Sequence, residues 1–510
     1  MNSVKRWLTI LMACLFAAAC APAPPENTII ISGPFEPVNQ DTATAGYIFT
    51  RMQIIETLVD VDDEGNLTPG LAINWHPDES FTQWHFELRP DVYFHDGQPM
   101  TAQSVVNSLR VAMGKPAPFN TRLIKHAEAL SEREVLFTLT EPFRPFPSLL
   151  SNYTTAILSP ATFGTFNRIK SLIGTGPYQI EDFEPPHNIK ARRFDNYWGE
   201  PATIEKAEYI TGHRSETRAL MVRTGQADIV YNLDPSAVSS LSTNPDVKVF
   251  STPIPRTTQI KLNLALPSLS DPKVRQALSL ALDRTGIAEG ILRVPGVEAN
   301  QLFGPTMGVW HLATAPTPTQ QLDRARQLLD DAGWHEGDDG IRYRNHHPLE
   351  LEMITYANRP ELIVIATAIQ DQWAQIGVNL NVEMENASAI PSGHHDGTLQ
   401  TALMARNYAN IPDPLGIMLA DFTSEQGGDW GPMNWSNPDV FSGLNELAEE
   451  TDDAAYQRTV TQVMTAIQND LPLIPVVFYV QQSAVSARVK GFSFDPYERS
   501  FRISTMQLEQ

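Results

Sequence analysis

The stretch 93–109 is the feature that most restricts how this chain can fold. Phe94 closes a run rich in β-forming residues, and Asp96 and Gly97 form a turn that tolerates positive φ. Thr101 is suited to cap a helix, and apolar residues then recur with helical spacing at positions 105, 106, 109, 112 and 113. The sequence therefore predicts a strand, a tight turn and a helix in direct succession.

The size and charge of the chain narrow its class. A length of 510 residues is too great for one hydrophobic core and indicates two or three domains. The composition, 42% hydrophobic and 19% charged, is that of an ordinary globular protein. A formal net charge of −22 argues against a general nucleic-acid-binding protein, which needs a basic face for phosphates.

The N-terminus has the pattern of a secretion signal. Lys5 and Arg6 precede a mostly apolar run at 7–19, which is too short to span a bilayer comfortably. Small residues then lead to Cys20, which resembles a lipoprotein signal, so cleavage before Cys20 would leave a lipidated cysteine. Cys14 would be removed with the signal, leaving no disulfide. An ordinary signal peptide, cut after residue 19 or 21, is the alternative.

Helical and strand patterns alternate along the rest of the chain, which predicts an α/β protein. Asp271 and Pro272 suit the N-cap and first position of a helix, and Pro475 suits the first residue of a buried strand. Further helices are predicted at 47–59, 217–224, 361–376 and 454–469, and further strands at 28–31, 156–160 and 476–480.

Several separated motifs occur in a fixed order. After Phe94-His95-Asp96-Gly97 come Gly174-Thr175-Gly176-Pro177-Tyr178, Asp195-Asn196-Tyr197-Trp198-Gly199 and, from Asp271, Val274-Arg275-Gln276-Ala277-Leu278. This series resembles the family 5 extracellular solute-binding proteins, the peptide- and nickel-type binding components of ABC importers. The resemblance covers nearly all of residues 28–505.

The resemblance implies a two-lobed periplasmic-binding-protein fold of the class II type, with a hinge and a larger lobe that carries an extra subdomain. It implies a signal at 1–19, lobe I at 20–57, 174–258 and 481–510, the extra subdomain at 58–173 and lobe II at 259–480. The protein would be a monomer without a cofactor, anchored to a membrane through Cys20. It would capture a solute between its lobes and deliver it to an inner-membrane ABC permease.

No catalytic constellation is recognisable in the sequence. It contains no G-x-S-x-G elbow, H-E-x-x-H motif, Walker loop or paired C-x-x-C, so we expect a binding protein and not an enzyme. The pairs His346-His347 and His394-His395 lie in polar, turn-like sequence, where solvated loops are more typical than metal ligands. Two alternatives stay open: a secreted enzyme, and a lipoprotein acting as a peptide-binding chaperone without a transporter.

The segment 406–414 resembles the part of the family that faces the ligand. Asn410 stands where peptide-binding members have an aspartate that pairs with the peptide ammonium, and an amide brings no charge. Tyr408 stands where nickel-type members place an aromatic side chain over the ligand. Arg406, Trp430 and Tyr47 complete the candidate ligand-binding residues. For Tyr408 and Trp430, packing in the core is the alternative.

Two nickel-type residues are missing from the positions that the resemblance assigns to them. The metal-binding histidine falls near Glu425 and Gln426, and the cleft arginine of the first lobe falls at 154–156. Because glutamine and glutamate do not reproduce imidazole's fit to nickel, free nickel is expected to bind weakly. Simple di- and tripeptides are also expected to bind weakly. The expected ligand is a larger or modified peptide or a metal chelate.

Overall fold

The computed structural model describes residues 27–117, 120–316, 319–356, 359–409, 411–424 and 426–509. Its strands are β1 (Thr28–Gly33), β2 (Val59–Val61), β3 (Leu67–Pro69), β4 (Ala72–Pro77), β5 (Gln83–Leu88), β6 (Ile124–Ala129), β7 (Glu134–Leu139), β8 (Tyr178–Glu184), β9 (Asn188–Arg193), β10 (Lys206–Thr211), β11 (Ile229–Tyr231), β12 (Val247–Leu262), β13 (His335–Glu336), β14 (Arg342–Arg344), β15 (His347–Pro348), β16 (Glu350–Tyr356), β17 (Asn379–Glu385), β18 (Thr401–Asn407), β19 (Leu473–Ser486), β20 (Val489–Lys490) and β21 (Gln507–Leu508).

The helices are α1 (Thr42–Arg51), α2 (Ala102–Met113), α3 (Phe146–Leu149), α4 (Ser215–Arg223), α5 (Pro235–Leu241), α6 (Pro272–Leu280), α7 (Leu322–Asp331), α8 (Pro360–Ala374), α9 (Ala389–Asp396), α10 (Leu415–Phe422), α11 (Pro438–Glu449) and α12 (Asp453–Asp470). Among the described residues, none of these helices has the length and apolar character needed to cross a membrane.

A ten-stranded sheet runs through the molecule in the order β17-β16-β18-β12-β19-β11-β1-β10-β9-β8. Its two longest strands, β12 and β19, have 16 and 14 residues and pair antiparallel with two register shifts. The strands β11, β1, β10, β9 and β8 form one lobe, and β18, β16 and β17 form the other. Because β12 and β19 contribute to both, they join the two lobes, as the predicted fold class requires.

Separate hydrophobic cores underlie this division. One cluster contains Ile29, Ile48 and Tyr209 of the first lobe, and a larger one contains Trp373 and Leu403 of the second. A third cluster underlies the sheet β4-β5-β7-β6 and helix α2, within the predicted extra subdomain. The exact residue boundaries of the lobes and the subdomain stay predictions.

The stretch 93–109 folds almost as predicted. Gly97 has φ +81°, and Thr101 caps α2 in a reciprocal arrangement with Ser104: each side chain accepts from the other's backbone N–H. The observed strand, however, ends earlier than the predicted one, which extends to Phe94. β5 stops at Leu88, and Tyr93 makes only an isolated pairing with Pro99.

Three other local predictions need correction. The helix predicted at 47–59 is α1, which begins at Thr42 because Asp41 caps it, and ends at Arg51, just before Gln53 takes φ 55°. The segment 156–160 forms no strand, because its backbone groups pair singly with neighbours such as Ser108 and Glu56. Pro475 is the third residue of β19, next to a register shift, and not the first.

Candidate ligand-binding cleft

A cavity of about 360 Å³ lies between helix α1 of the first lobe, the connecting strand β12 and strand β18 of the second lobe. The C-terminal segment near residue 498 closes one side. Its lining residues are Phe35, Tyr47, Thr50, Arg51, Ser151, Asn152, Tyr153, Arg256, Arg359, Asn407, Ala409, Tyr497, Glu498 and Arg499. Residues from both lobes therefore face the same space.

Glu498 is the carboxylate at the centre of this cavity wall. Arg51 donates from Nε to the Glu498 carbonyl oxygen at 2.6 Å and from Nη2 to Oε1 at 3.2 Å. Arg256 donates from Nη2 to Oε2 at 2.6 Å. Burial opposes ionisation of Glu498, but the guanidinium groups of Arg256 and Arg51 outweigh it and lower the pKa of this carboxyl. Glu498 is therefore ionised at neutral pH.

Tyr479 connects two of the arginines. The guanidinium carbons of Arg256 and Arg359 lie 5.0 and 5.3 Å from the centre of its ring, within the range of cation–π attraction. Arg359 also donates from Nη1 to the Tyr479 hydroxyl at 3.0 Å and lies 4.0 Å from Glu361. The positive charges are thus fixed in position at the junction of the two lobes.

Aromatic side chains form the opposite wall. The ring of Tyr47 lies edge-on to those of Phe35 and Tyr153, with centroid separations of 5.5 and 6.1 Å. Arg51 lies over Phe35, 5.3 Å from the ring centre. Burial is the main cause that raises the pKa of Tyr47 to about 12, so its hydroxyl stays protonated. The cavity offers aromatic faces beside fixed positive charge.

A second cavity, of about 560 Å³, shares Arg359 with the first. Residues 213–218 and 232–235 line it from the first lobe, and Leu292, Val294 and Val297 line it from the second. The side chains of Val477, Phe478 and Val480, on β19, also line this cavity. The two cavities therefore give the space between the lobes room for a ligand larger than a single amino acid.

The sequence-predicted ligand residues are not all placed at this cavity. Tyr47 lines it, whereas Tyr408 is only 1% exposed, donates to Gln259 Oε1 at 2.9 Å and packs on Phe303 in the second core. Arg406 pairs with Asp421 at 2.7 Å.

Trp430 packs against the second core as well, and Asn410 lies outside the described residues. Asn407 and Ala409, the immediate neighbours of Tyr408, line the cavity instead, because successive residues of extended chain point to opposite sides.

The arginine cluster was not predicted from the sequence. In sequence, Glu498 lies 447 residues from Arg51 and 242 residues from Arg256. No local pattern marks any of these three residues. One signal was available: Arg51 ends an apolar helix, where an arginine needs a partner once it is buried.

The histidine pairs do not form a metal centre. In the described part of the chain, no three His, Cys, Asp or Glu side chains come together in a way that could hold a metal ion. His394 Nδ1 lies 2.7 Å from Lys261 Nζ, and His395 pairs with Asp429 at 2.9 Å. His347 lies in strand β15, directly after His346, which has φ 66°.

Comparison with known proteins gives consistent matches. The profile described as bacterial extracellular solute-binding proteins, family 5 middle, matches residues 66–429. The nickel-binding periplasmic protein of Escherichia coli (strain K12) is 27% identical over 510 residues, covering 95% of each chain. The probable D,D-dipeptide-binding periplasmic protein DdpA of the same strain is 25% identical over 528 residues, covering 98% of each. The structure of NikA from Brucella suis in complex with Fe(III)-EDTA superposes with a TM-score of 0.86 at 20% identity, covering 94% of this chain and 100% of that one.

Proposed function

This chain belongs to the bacterial extracellular solute-binding proteins of family 5, and from that membership we propose that it is the substrate-binding component of an ABC importer. It is a binding protein and not an enzyme. It captures a peptide-like solute or a metal chelate between its lobes and delivers it to the permease. The observation that carries this proposal is the cavity that both lobes line beside the two connecting strands.

The connection between the lobes supports capture by closure. Strands β12 and β19 change register between Pro253 and Thr257 and again between Thr258 and Gln259, close to the predicted hinge at 258–260 and 479–481. Irregular pairing at this point allows the lobes to rotate without breaking either core. Domain boundaries at 57/58, 173/174, 258/259 and 480/481 belong to the same proposal.

The ligand is proposed to be neither free nickel nor a simple dipeptide. Asn410 brings no charge for a peptide ammonium, and Gln426 stands near the position of the nickel-type histidine. The two cavities leave space for a larger or modified peptide or a metal chelate. Tyr47, Tyr408, Arg406, Asn410 and Trp430 stay candidate ligand residues.

Native mass spectrometry of the protein purified from its own cell envelope tests the function. We expect a co-purified small molecule, and small-angle scattering should show a smaller radius of gyration when that molecule is added back. An unchanged radius of gyration at saturation would contradict capture by closure. A turnover of the co-purified molecule would favour the enzyme alternative.

We further propose a monomer anchored in the cell envelope through lipidated Cys20, a residue outside those described. The relatives are periplasmic proteins by name, and stable anchoring needs more than one acyl chain. Cys20→Ala should move the protein from the membrane fraction to the soluble fraction. Wild-type protein already found entirely in the soluble fraction would favour the ordinary signal peptide.

A further inference from the structure

We propose that Arg144 fastens the subdomain to the second lobe and that this contact slows the release of a bound solute. Arg144 contacts Ala448, Glu450 and Tyr456 of the second lobe, and we call these contacts the latch. The inference rests on the proposed function and names a residue that holds the lobes in place around the solute. Arg144 is absent from the linings of both cavities described above, so it is a positioning residue.

The first observation is that Arg144 caps a helix of the other lobe. It lies between β7 and α3, and its backbone N–H donates to the Ala448 carbonyl at 2.8 Å, near the C-terminal end of α11. Its Nη1 donates to the carbonyl of Glu450, the residue that follows α11, also at 2.8 Å. The last carbonyls of a helix lack partners within the helix and carry a partial negative charge. A guanidinium group from the subdomain therefore stabilises this end of α11.

The second observation is an aromatic contact across the same boundary. The guanidinium carbon of Arg144 lies 4.8 Å from the centre of the Tyr456 ring on α12, within the range of cation–π attraction. Nη2 of Arg144 also pairs with Asp453, but the Asp453 side chain is 84% exposed, so this ion pair contributes little. The aromatic contact and the two carbonyl bonds therefore supply most of the stabilisation.

An apolar contact accompanies the latch. Ile411 of the second lobe is fully buried within the hydrophobic cluster of the subdomain. Leu419 and Ala448, also of the second lobe, are partly buried and pack against both that cluster and the second core. Ala448 belongs to the latch as well, so the polar and apolar contacts lie side by side. The subdomain and the second lobe thus share an interface separate from the connecting strands β12 and β19.

Both sides of the latch continue into the wall of the smaller cavity. After Arg144 the chain forms α3 and then supplies residues 151–153, which line that cavity. On the other side, the Tyr456 hydroxyl donates to Asp413 Oδ2 at 3.4 Å, and Asp413 follows four residues after Ala409, another lining residue. Opening of the latch therefore moves two walls of the ligand space apart.

The fold of the subdomain does not depend on the Arg144 side chain. Phe143 and Phe146, on either side of it, are 6% and 0% exposed in the core of the subdomain, and the Phe143 N–H donates to the Phe81 carbonyl at 3.2 Å. These contacts fix the segment in the subdomain. Within the described part of the chain, the hydrogen bonds of the Arg144 side chain go to the second lobe instead. A role in joining the two bodies explains this arrangement better than a role in folding one of them.

Amide hydrogen exchange resolved to single residues tests the latch. Arg144→Gln removes the guanidinium group but keeps the backbone N–H, so exchange at residue 144 still reports its hydrogen bond to Ala448. We expect exchange at residue 144 to be about tenfold faster in the variant, because the aromatic contact and one charged hydrogen bond are lost. Exchange in strand β5, within the core of the subdomain, should not change.

Arg344→Gln is the matched control. The guanidinium carbon of Arg344 lies 4.5 Å from the centre of the Trp334 ring, and its Nη2 donates to the Pro267 carbonyl at 2.6 Å. The chemistry is the same as at Arg144, but all three residues lie within the second lobe. This variant should leave exchange at residue 144 unchanged.

Retention is measured as the rate at which the co-purified small molecule dissociates after dilution, followed by native mass spectrometry of wild type and variants. Arg144→Gln should release that molecule about tenfold faster and bind it at nearly the wild-type association rate, because the latch forms only after the molecule has entered. Arg344→Gln should leave both rates unchanged. A purely structural role of Arg144 would lower the folded fraction without changing the dissociation rate of folded molecules.

The possible results are distinguishable. Unchanged exchange at residue 144 in Arg144→Gln would overturn the latch, and so would equally accelerated exchange in β5, which would show a loss of the subdomain fold. Faster exchange confined to residue 144 with an unchanged dissociation rate would overturn the role in retention and leave the importer function standing. The absence of any co-purified small molecule would contradict the proposed function and the retention that depends on it, whereas exchange at residue 144 would still decide the latch.

Discussion

Two buried glutamates, Glu56 and Glu498, have opposite surroundings. Glu56 accepts hydrogen bonds from Thr175 at 2.7 Å, Tyr197 at 2.9 Å and Trp198 at 3.1 Å, all of them neutral donors. Burial raises the pKa of Glu56, although these donors lower it in part. Glu498 instead faces guanidinium groups, and its pKa is lowered. One site is satisfied by its own chain, and the other has more donors than acceptors.

Glu56 lies among residues of the motifs that identify the family, whereas Glu498 lies among residues that line the cleft. The two motifs that begin at Gly174 and Asp195 converge on Glu56, and His95 Nε2 donates to the carbonyl of Gly176 at 2.9 Å. We call Glu56, His95, Thr175, Gly176, Tyr197 and Trp198 the motif cluster. Within the predicted boundaries, the contact of His95 with Gly176 joins the subdomain to the first lobe, and the contacts of Glu56 lie inside the first lobe. We therefore expect changes in the motif cluster to alter stability, and changes at Arg256 to alter affinity.

The largest expected effect comes from Gly176→Ala. A Cβ atom at this position would stand 2.1 Å from the carbonyl oxygen of Gln53, and backbone atoms cannot yield as a flexible side chain can. We expect a loss of about 3 kcal/mol or more in the free energy of unfolding, measured by urea denaturation. Affinity per folded molecule should not change.

Gly97→Ala is the matched control for this substitution. Gly97 has φ +81°, but no atom lies within 4 Å of the added Cβ, so only backbone strain of about 1 to 2 kcal/mol is expected. Equal losses of unfolding free energy in the two variants would show that the close approach at Gly176 does not cause the loss of stability.

The second effect is a dependence of stability on pH through His95. Burial lowers the pKa of His95 to about 4, although the Gly176 carbonyl opposes this shift, so the folded protein holds a neutral imidazole. The unfolded chain takes up a proton near its ordinary pKa of about 6.5. The contribution of His95 to stability is therefore complete above about pH 6.5, falls as the pH drops towards 4, and is lost below that, with a total loss of about 3 kcal/mol.

His95→Gln tests this assignment, because an amide can still donate to Gly176 but does not titrate in this range. The unfolding free energy of the wild type minus that of the variant should fall by most of that amount between pH 7 and pH 4.5. A constant difference over the range would assign the acid sensitivity to other groups, such as His394, whose pKa burial also lowers to about 4.

The sequence predicted the fold well because its signals are local or belong to ordered motifs. Some of these signals depend only on residues within one turn. Examples are the cap at Thr101, the positive φ at Gly97 and the helix start at Asp271-Pro272. The errors share a cause as well. Residues 52–58 have helical spacing, yet Glu56 serves the motif cluster, and that tertiary contact is invisible in the local pattern.

The cleft was harder to predict for a related reason. Tyr408 and its neighbours lie on extended chain, where a change of one position exchanges the buried face for the cavity face. The arginine cluster depends on three distant segments that meet only in the folded chain. The predicted segment 406–414 adjoins the cavity at Asn407 and Ala409, and no sequence pattern indicated the charge of the cavity wall.

The smallest expected effect comes from Thr101→Ala, which removes one half of the cap on α2. The Thr101 side chain accepts from the Ser104 N–H at 3.2 Å, and the Thr101 N–H donates to the Ser104 hydroxyl at 2.9 Å. Loss of the first bond should lower the free energy of unfolding by about 1 kcal/mol. Thr101→Ser is the matched control and should recover most of it, because serine retains the accepting oxygen. Because α2 is remote in sequence from the arginine cluster and contributes no lining residue to the cavity of 360 Å³, affinity for the co-purified ligand should not change. A loss of affinity for that ligand in Thr101→Ala would contradict the separation of stability from recognition.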